Sequence, residues 1–518
     1  MSMRPVSVAM TTQIHHALVD HLVRDDGDED LTFLVWKPSI GRERDTAVIC
    51  DVVWPEDGDR HVHGNVSFES AYFLRACAAA EEVGGGLALI HSHPGGNEWQ
   101  GLSRDDYAAE SGHAGQAVAL TGKPLMGLTM AGGSRKYSAR RWQKTAPRTW
   151  EPQWALNVRV VGDQMLVSLP EGRDEFTTQY QKRTIDAWGR DAQQVIGSLR
   201  VAVVGAGSVG SQIVESLART GFGDLVVMDY DAVEDHNLDR ILNATTDHAD
   251  TGQLKARVAA EAALAHGTHP RIRVTWSNHS AIERIGIADL KDCDLIFCCV
   301  DRPAGRASLN ALAYAHLIPV VDGGVMVTPG RRFMRGAEWR AHVAAPGRRC
   351  LECLGQYEPG LVQADRDGLL DEPSYLAELP PDHVLNRNQN VFAFSAAAAA
   401  EQVLAALRML VAPAGMADVG AQTFHFATGT VDLDTAACNP GCIYSAATAS
   451  ADAGGRPVGH RHVPAEKARA SRPAPVLAGD EDPVRGASHL TRDRIRRFLG
   501  RAARLGKRRN PNAPRHEQ

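Results

Sequence analysis

Two histidines, His91 and His93, are separated by one residue at the end of an apolar run that begins at Gly86. Side chains along a strand alternate between its two faces, so both imidazoles point the same way and can reach one metal ion. Asp106 follows Ser103 at a Ser-x-x-Asp spacing, which places both side chains on one face of a helix start. Three protein ligands with an open fourth position are typical of catalytic zinc, where bound water becomes a nucleophile near neutral pH. We therefore expect His91, His93 and Asp106 to bind Zn²⁺.

This pattern resembles the JAMM (JAB/MPN) metalloprotease family, in which His-x-His-Pro is preceded by a glutamate and followed by Ser-x-x-Asp. The same order is present here, with Pro94 after the histidines and Glu29 ahead of an apolar strand. The resemblance implies that Glu29 is the general base and that Ser103 stabilises the oxyanion. The loop before Ser103 is longer than in the family pattern, so Asp105 remains an alternative ligand to Asp106.

A second motif, Gly-x-Gly-x-x-Gly, is formed by Gly205, Gly207 and Gly210 directly after the apolar residues 199–204. Glycines allow a tight turn and a close approach of the backbone to phosphate, and the following helix N-terminus favours anions. Asp229 lies about 20 residues further on, where an acid commonly binds a ribose hydroxyl. From these residues alone, an NAD-dependent dehydrogenase is as good an interpretation as any other nucleotide enzyme.

The residues after the glycine motif separate these interpretations. Their order is Asp229, Asn237, Arg240, Lys255 and Asp301. This order resembles the ThiF/MoeB/HesA family and the adenylation domain of ubiquitin-activating enzymes. The resemblance implies that Asp229 holds the ribose of ATP and that Asp301 holds Mg²⁺. It also implies that Asn237, Arg240 and Lys255 line the triphosphate, where cations offset the charge that develops on the phosphates.

Four cysteines form two pairs, Cys350-Leu-Glu-Cys353 and Cys438-Asn-Pro-Gly-Cys442. Four thiolates are typical of a structural zinc site. Members of the ThiF family carry two Cys-x-x-Cys pairs, and Ser445 stands here where the fourth family cysteine would be. Cys438 is close enough in sequence to replace it. The alternative is that these cysteines are plain thiols without a metal.

The resemblance also carries expectations about partners. Some relatives form a thioester through a cysteine in the loop after the zinc pair, but residues 354–419 contain no cysteine. We therefore expect no thioester and direct transfer of the adenylate to a conjugating enzyme or a sulfur donor. Arg183 matches an arginine that reaches the ATP of the other subunit, which predicts a homodimer.

These motifs require an α/β protein of at least two domains, because 518 residues exceed one core. We expect a JAMM/MPN-type metalloprotease domain over 1–147 and a connector over 148–177. A Rossmann-like, doubly wound adenylation domain with the cysteine site is expected over 178–445, and a disordered basic tail over 446–518. The expected local elements are strands at 31–36, 46–54 and 86–91 and helices at 68–83 and 176–198.

Composition excludes some functions. The net charge of -6 gives no electrostatic case for nucleic acid, and we see no apolar run near the roughly 20 residues that span a bilayer. The N-terminus lacks the apolar core of a signal peptide, so we expect a cytoplasmic protein without membrane contact. The nine cysteines are then metal ligands or core thiols.

Taken together, the two resemblances imply a bifunctional enzyme of a prokaryotic ubiquitin-like pathway. Its zinc-dependent (iso)peptidase would trim or remove a ubiquitin-like protein, and its second domain would adenylate the C-terminal glycine of that protein with ATP. The same two steps on a sulfur-carrier protein, leading to a thiocarboxylate, are the alternative. A scaffold with inactive sites is a third interpretation, which the complete ligand sets disfavour.

Overall fold

The computed structural model of the protein describes residues 4–170, 178–378, 389–411, 419–455, 457, 459–472 and 487–490. Its first part contains the strands β1 Val6–Thr11, β2 Leu31–Ile40, β3 Asp45–Val53, β4 Arg60–His63, β5 Asn65–Phe68, β6 Gly86–His93, β7 Met126–Ala131, β8 Tyr137–Ala146, β9 Thr149–Trp154, β10 Val158–Val161 and β11 Met165–Ser168. Its helices are α1 Thr12–Leu22, α2 Ser70–Glu82 and α3 Arg104–Thr121.

The first domain is one nine-stranded sheet in the order β11-β10-β1-β3-β2-β6-β7-β8-β9. Apolar side chains cover both faces of this sheet: Leu18 and Leu22 of α1 belong to one core, and Phe73 of α2 and Ala114 of α3 belong to the other. The strands expected around 31–36, 46–54 and 86–91 are β2, β3 and β6, and the helix expected over 68–83 is α2.

The predicted domain boundary after residue 147 is wrong. Residues 149–168, expected within a connector, form β9, β10 and β11 of the first sheet. The strand β10 pairs in parallel with β1, near the start of the chain, so its partner lies about 150 positions away. Four-residue strands with distant partners leave little local pattern, which is why the Trp- and Pro-rich sequence suggested a linker.

The second domain begins with two short helices. Its helices are α4 Lys182–Trp188, α5 Arg190–Ser198, α6 Gly210–Thr220, α7 Thr246–Asp250, α8 Lys255–His266, α9 Arg284–Lys291, α10 Pro303–Ala315, α11 Val362–Arg366, α12 Pro373–Glu378, α13 Phe392–Val411, α14 Ile443–Ala446 and α15 Val463–Ala470. Its strands are β12 Arg200–Val204, β13 Asp224–Met228, β14 Arg273–Ser277, β15 Leu295–Cys298, β16 Val320–Thr328, β17 Gly336–Ala344, β18 Ala421–His425, β19 Thr430–Asp434 and β20 Ala487–Leu490.

The sheet of the second domain has the order β19-β18-β17-β16-β15-β12-β13-β14-β20. Strands β16, β15, β12, β13 and β14 are mutually parallel, and helices such as α6 and α10 pack on its two faces. The predicted α/β class with a Rossmann-like sheet is therefore confirmed for this domain. The single helix expected over 176–198 is instead broken at Gly189, whose φ of 88° lies outside the helical region.

One helix corrects the expectation that no apolar run approaches membrane-spanning length. The 20 residues of α13 are long and apolar enough by length and composition. The helix packs against β16, β17 and α6, and buries Gln402 along with Val403 and Met409. A core helix passes the same test of length and composition, so this segment is weak evidence for a membrane span.

The expectation of a disordered tail over 446–518 is wrong for its first part. Helix α15 lies there, and its Arg469 forms an ion pair with Glu283 of the second domain. The alanine- and arginine-rich composition gave no sign of this order, because specific contacts rather than an apolar stripe hold the segment. Residues 473–486 and 491–518 lie outside the described part of the chain.

The two domains meet through buried charges at the turn between β2 and β3. Arg44 in this turn donates to Asp294 at 2.8 Å, and Arg42 donates to Asp289 at 2.9 Å. Asp292 accepts from the backbone N–H of Arg44 at 2.9 Å. Because Asp294 directly precedes β15, the contact surface lies at the amino end of that strand.

Candidate functional site

The first candidate site lies at the opposite end of β2 from the domain contact. Leu31 of β2 pairs with His91 of β6, so His91 and His93 lie at the carboxyl end of β6, beside the start of β2. Asp106 lies in the first turn of α3, which begins at a Ser103 cap. One ligand atom from each of His91, His93 and Asp106 lies within 4.8 Å of the others.

The spacing of these atoms fits a tetrahedral ion. The two histidine Nε2 atoms are 3.1 Å apart, and each lies 3.4 Å from an oxygen of Asp106. Zinc–ligand bonds near 2.05 Å give a tetrahedron with edges of about 3.3 Å. Asp105 is exposed at the preceding position. The three residues present therefore suit Zn²⁺, with Asp106 rather than Asp105 as the carboxylate.

The hydrogen bonds around the site fix Asp106. The backbone N–H of Ser103 donates to Asp106 at 2.9 Å, and the Ser103 hydroxyl accepts from the Asp106 N–H at 3.1 Å. Burial alone would raise the pKa of Asp106, but its bonds with His91 and His93 hold that pKa far below its ordinary range. Asp106 therefore stays ionised, as a metal ligand must be.

Glu29 is half-buried beside this cluster. Burial raises its pKa above the ordinary value, and the charges of His91, His93 and Asp106 all act on it. Its neighbour Asp30 is 1% exposed and forms ion pairs with Arg24 and Arg60. This anchoring of Asp30 fixes the backbone that carries Glu29.

The second candidate site is a cavity of about 570 Å³ at the carboxyl ends of β12, β13 and β15. Gly205 has φ +93°, and a Cβ at this position would lie 2.6 Å from the Cys299 carbonyl oxygen. A Cβ at Gly210 would lie 1.8 Å from the Gly205 carbonyl oxygen, whereas Gly207 faces open space. The first and third glycines are thus required by packing, and the second leaves room for a ligand.

Two acids and a lysine form the centre of the cavity. Asp229 accepts from the backbone N–H of Ala206 in the glycine loop at 2.6 Å and from that of Asp231 at 2.8 Å. Lys255 donates to Asp231 at 3.0 Å. Burial would lower the pKa of Lys255, but Asp229 and Asp231 outweigh it and raise that pKa. Lys255 is therefore a cation in the lining of the cavity that also contains the glycine loop.

The remaining predicted residues fall into two groups. Asn237, Arg240 and Asp301 all line the same cavity, as do Lys255 and the first two glycines. Arg183 is exposed on α4 and does not line it. That position fits the expectation that Arg183 acts on a second copy, which remains a prediction.

The four paired cysteines converge beside α10. Their sulfurs lie within 4.8 Å of one another, and the Sγ atoms of Cys350 and Cys442 are 3.6 Å apart. A tetrahedral zinc–thiolate site with bonds near 2.3 Å has sulfur–sulfur edges of about 3.8 Å. Backbone N–H groups donate to the sulfurs of Cys350, Cys353 and Cys438. The donor set suits Zn²⁺, with Cys438 in the place of the missing family cysteine.

The sequence did not reveal several residues that line the nucleotide cavity. They are Tyr230, His279, Ser280, Arg302, Arg306, Asn390 and His462. Arg302, which caps α10, and Arg306, in its first turn, are four residues apart, a spacing that predicts one face of a helix start. His462 carried no signal, because it lies far from every motif in the chain.

Comparison with known proteins locates a family on the second domain. Residues 180–439 match the model of the ThiF family. The Yarrowia lipolytica protein named adenylyltransferase and sulfurtransferase UBA4 is 31% identical over 203 residues, which cover 39% of this chain and 48% of that protein. The molybdopterin-synthase adenylyltransferase of Escherichia coli is 30% identical over 191 residues, covering 36% of this chain and 72% of that protein.

A third relative is the ubiquitin-like modifier-activating enzyme 5 of Drosophila virilis. It is 29% identical over 161 residues, which cover 28% of this chain and 39% of that protein. The chain thus spans about half the length of the Yarrowia relative, and less of the Drosophila one. The family match at residues 180–439 lies in the second domain and leaves the first domain to its own geometry.

Proposed function

This chain belongs to the ThiF family, and we propose that its second domain uses ATP to adenylate the C-terminal glycine of a ubiquitin-like or sulfur-carrier protein. One observation carries the proposal. The glycine loop, Asp229, Arg240, Lys255 and Asp301 all line one cavity. A dehydrogenase would need the glycine loop and Asp229, but not cations gathered around the phosphate position.

The cavity residues have separate roles in the adenylation reaction. A carboxylate oxygen of the protein substrate attacks the α-phosphorus of ATP, an acyl–phosphate bond forms, and pyrophosphate leaves with the electrons of the broken P–O bond. Arg240 and Lys255 face the oxygens on which negative charge grows. Asp301 is an exposed carboxylate of the cavity and would hold Mg²⁺, which neutralises pyrophosphate.

Exchange of pyrophosphate into ATP tests this proposal. The assay uses the full chain with Mg²⁺ and a ubiquitin-like protein that ends in Gly-Gly. Lys255→Ala should lower the exchange rate by roughly 100-fold, because a cation at the developing charge is lost. Lys144→Ala is the matched control, since Lys144 is exposed on β8 of the other domain. Equal rates in the two variants would contradict the role of Lys255.

We also propose a zinc-dependent (iso)peptidase in the first domain, because His91, His93, Asp106 and Glu29 lie together. Zn²⁺ held by the first three would supply Lewis-acid chemistry at the scissile carbonyl. Glu29 takes a proton from the attacking water and passes it to the leaving nitrogen. The Ser103 hydroxyl accepts from the backbone, so its own hydrogen is left to donate to the oxyanion.

Each site lies at the far end of a strand from the contact between the domains. The ten residues of β2, about 30 Å of strand, separate the His91 end from the turn that contacts the second domain. In the second domain, Asp294 at the contact and Asp301 in the cavity lie on opposite sides of β15. We infer that a protein tail trimmed at the first site is released before it enters the second.

A further inference from the structure

The segment after the family match closes one side of the nucleotide cavity. The matched region ends at residue 439, yet His462 lines the cavity together with Asp229 and Tyr230. Its ring meets the Tyr230 ring edge-on, with centroids 5.4 Å apart and an interplanar angle of 79°. This chain therefore adds a wall to the cavity from outside the matched region.

Several contacts hold this segment against the end of β14. The backbone N–H of His460 donates to the carbonyl of Ile282 at 2.9 Å. Arg469 on α15 donates to the carbonyl of Asn278 at 3.0 Å and to Glu283 at 2.9 Å. Bonds at both ends of the segment leave His462 little freedom to turn away from the cavity.

The His462 imidazole is buried without a partner. It is 2% exposed, and neither ring nitrogen has a hydrogen-bond partner among the residues that the structure describes. Burial lowers the pKa of His462 to about 4, and the opposing charge of Glu283 does not overcome that effect. The ring is therefore neutral near pH 7, with one donor and one acceptor nitrogen. A buried polar group left unpaired is costly, which points to a ligand that pairs with it.

The order of the strands indicates which part of a nucleotide that ligand is. The glycine loop at the end of β12 takes the phosphates, and Asp229 at the end of β13 takes the ribose. The next strand is β14, and His279 and Ser280 just beyond it line the cavity beside His462. A nucleotide extended along this line places its base at the end of β14.

We propose that His462 recognises the purine base of the nucleotide bound in this cavity. The edge of a purine base offers hydrogen-bond donors and acceptors that match a neutral imidazole. The proposal rests on the proposed use of ATP and names the residue that reads its base. It assigns His462 a role in binding and none in the transfer of the adenylyl group.

Isothermal titration of the full chain tests this role with two probes, ATP and inorganic tripolyphosphate, which has no base. His462→Ala should raise the Kd for ATP about tenfold, the effect expected of one lost hydrogen bond to a ligand. It should leave the Kd for tripolyphosphate unchanged. His462→Gln keeps a donor and an acceptor and should recover part of the affinity for ATP. His460→Ala, an exposed histidine of the same segment, is the control.

Unchanged binding of ATP by His462→Ala would overturn the proposal. Equal weakening of ATP and tripolyphosphate would also overturn it, because His462 would then only support the cavity wall. Melting curves of both variants show whether either change loosens the fold. If alanine does, His462→Gln still tests the proposal, because glutamine keeps a polar side chain of similar volume. Failure of the proposed function has a different signature: the unmodified chain would bind ATP with a His462-dependent Kd but exchange no pyrophosphate.

Discussion

Replacing Asp294 with alanine removes the carboxylate on which the two domains meet. This side chain is 1% exposed, and it accepts from Arg44 at 2.8 Å, from Asn157 at 3.2 Å and from the backbone N–H of Arg200 at 2.9 Å. The fully buried Arg159 lies 3.4 Å away. We expect Asp294→Ala to lower the free energy of unfolding by ~3–5 kcal/mol, because two buried guanidinium groups lose their countercharge.

Urea unfolding followed by tryptophan fluorescence measures this loss, with Asp25→Ala at an exposed position as the control. Burial alone would raise the pKa of Asp294, but Arg44 and Arg159 hold it below its ordinary value. Its stabilisation is therefore present above the unfolded-state pKa of about 3.9 and is lost only as pH falls through the lower folded-state pKa. The penalty should be equal at about pH 8 and about pH 5. A loss under about 1 kcal/mol at either pH would refute the reasoning.

Three further predictions concern the two sites. Glu29→Gln should abolish cleavage of a ubiquitin-like precursor with zinc content unchanged, whereas Asp106→Ala should lower zinc content measured by atomic absorption; full cleavage by Glu29→Gln would remove Glu29 from the mechanism. A mixture of Glu29→Gln and Lys255→Ala chains should process and activate a precursor as well as half the amount of unmodified chain, because we expect the trimmed tail to leave the first site before it enters the second; failure to complement would indicate direct transfer. A non-reducing gel after incubation with ATP and the modifier should show no thioester, because residues 354–419 lack cysteine; a reductant-sensitive band lost with one cysteine would contradict this.

Local spacing predicted much of the sites. The alternation of His91 and His93 on a strand and the cap formed by Ser103 and Asp106 depend on neighbouring residues alone, and the structure brings their ligand atoms together. The glycine motif similarly fixes the turn after β12, since a Cβ at Gly210 would overlap the backbone of Gly205. Site residues that lie within a few positions of one another can therefore be predicted from their spacing in the sequence.

The remaining elements and site residues depend on contacts between distant parts of the chain, which the sequence does not show. The strand β10 was missed because its partner, β1, is at the other end of the first domain. The ordered part of the tail was missed because it depends on contacts such as Arg469 with Glu283, 186 positions apart. His462 enters the cavity through the same contacts, and no spacing rule connects it to the glycine loop. Such residues become visible only when the chain is folded.

The most direct test of the account is the mass of the modifier after the reaction. The full chain is incubated with ATP, Mg²⁺ and a ubiquitin-like protein ending in Gly-Gly, and the intact modifier is weighed by mass spectrometry. We expect a modifier heavier by one adenylyl group, with Lys255→Ala abolishing the product and Lys144→Ala retaining it. An unmodified modifier, together with reduction of NAD⁺ by the same chain, would contradict adenylation and indicate dehydrogenase activity in the second domain.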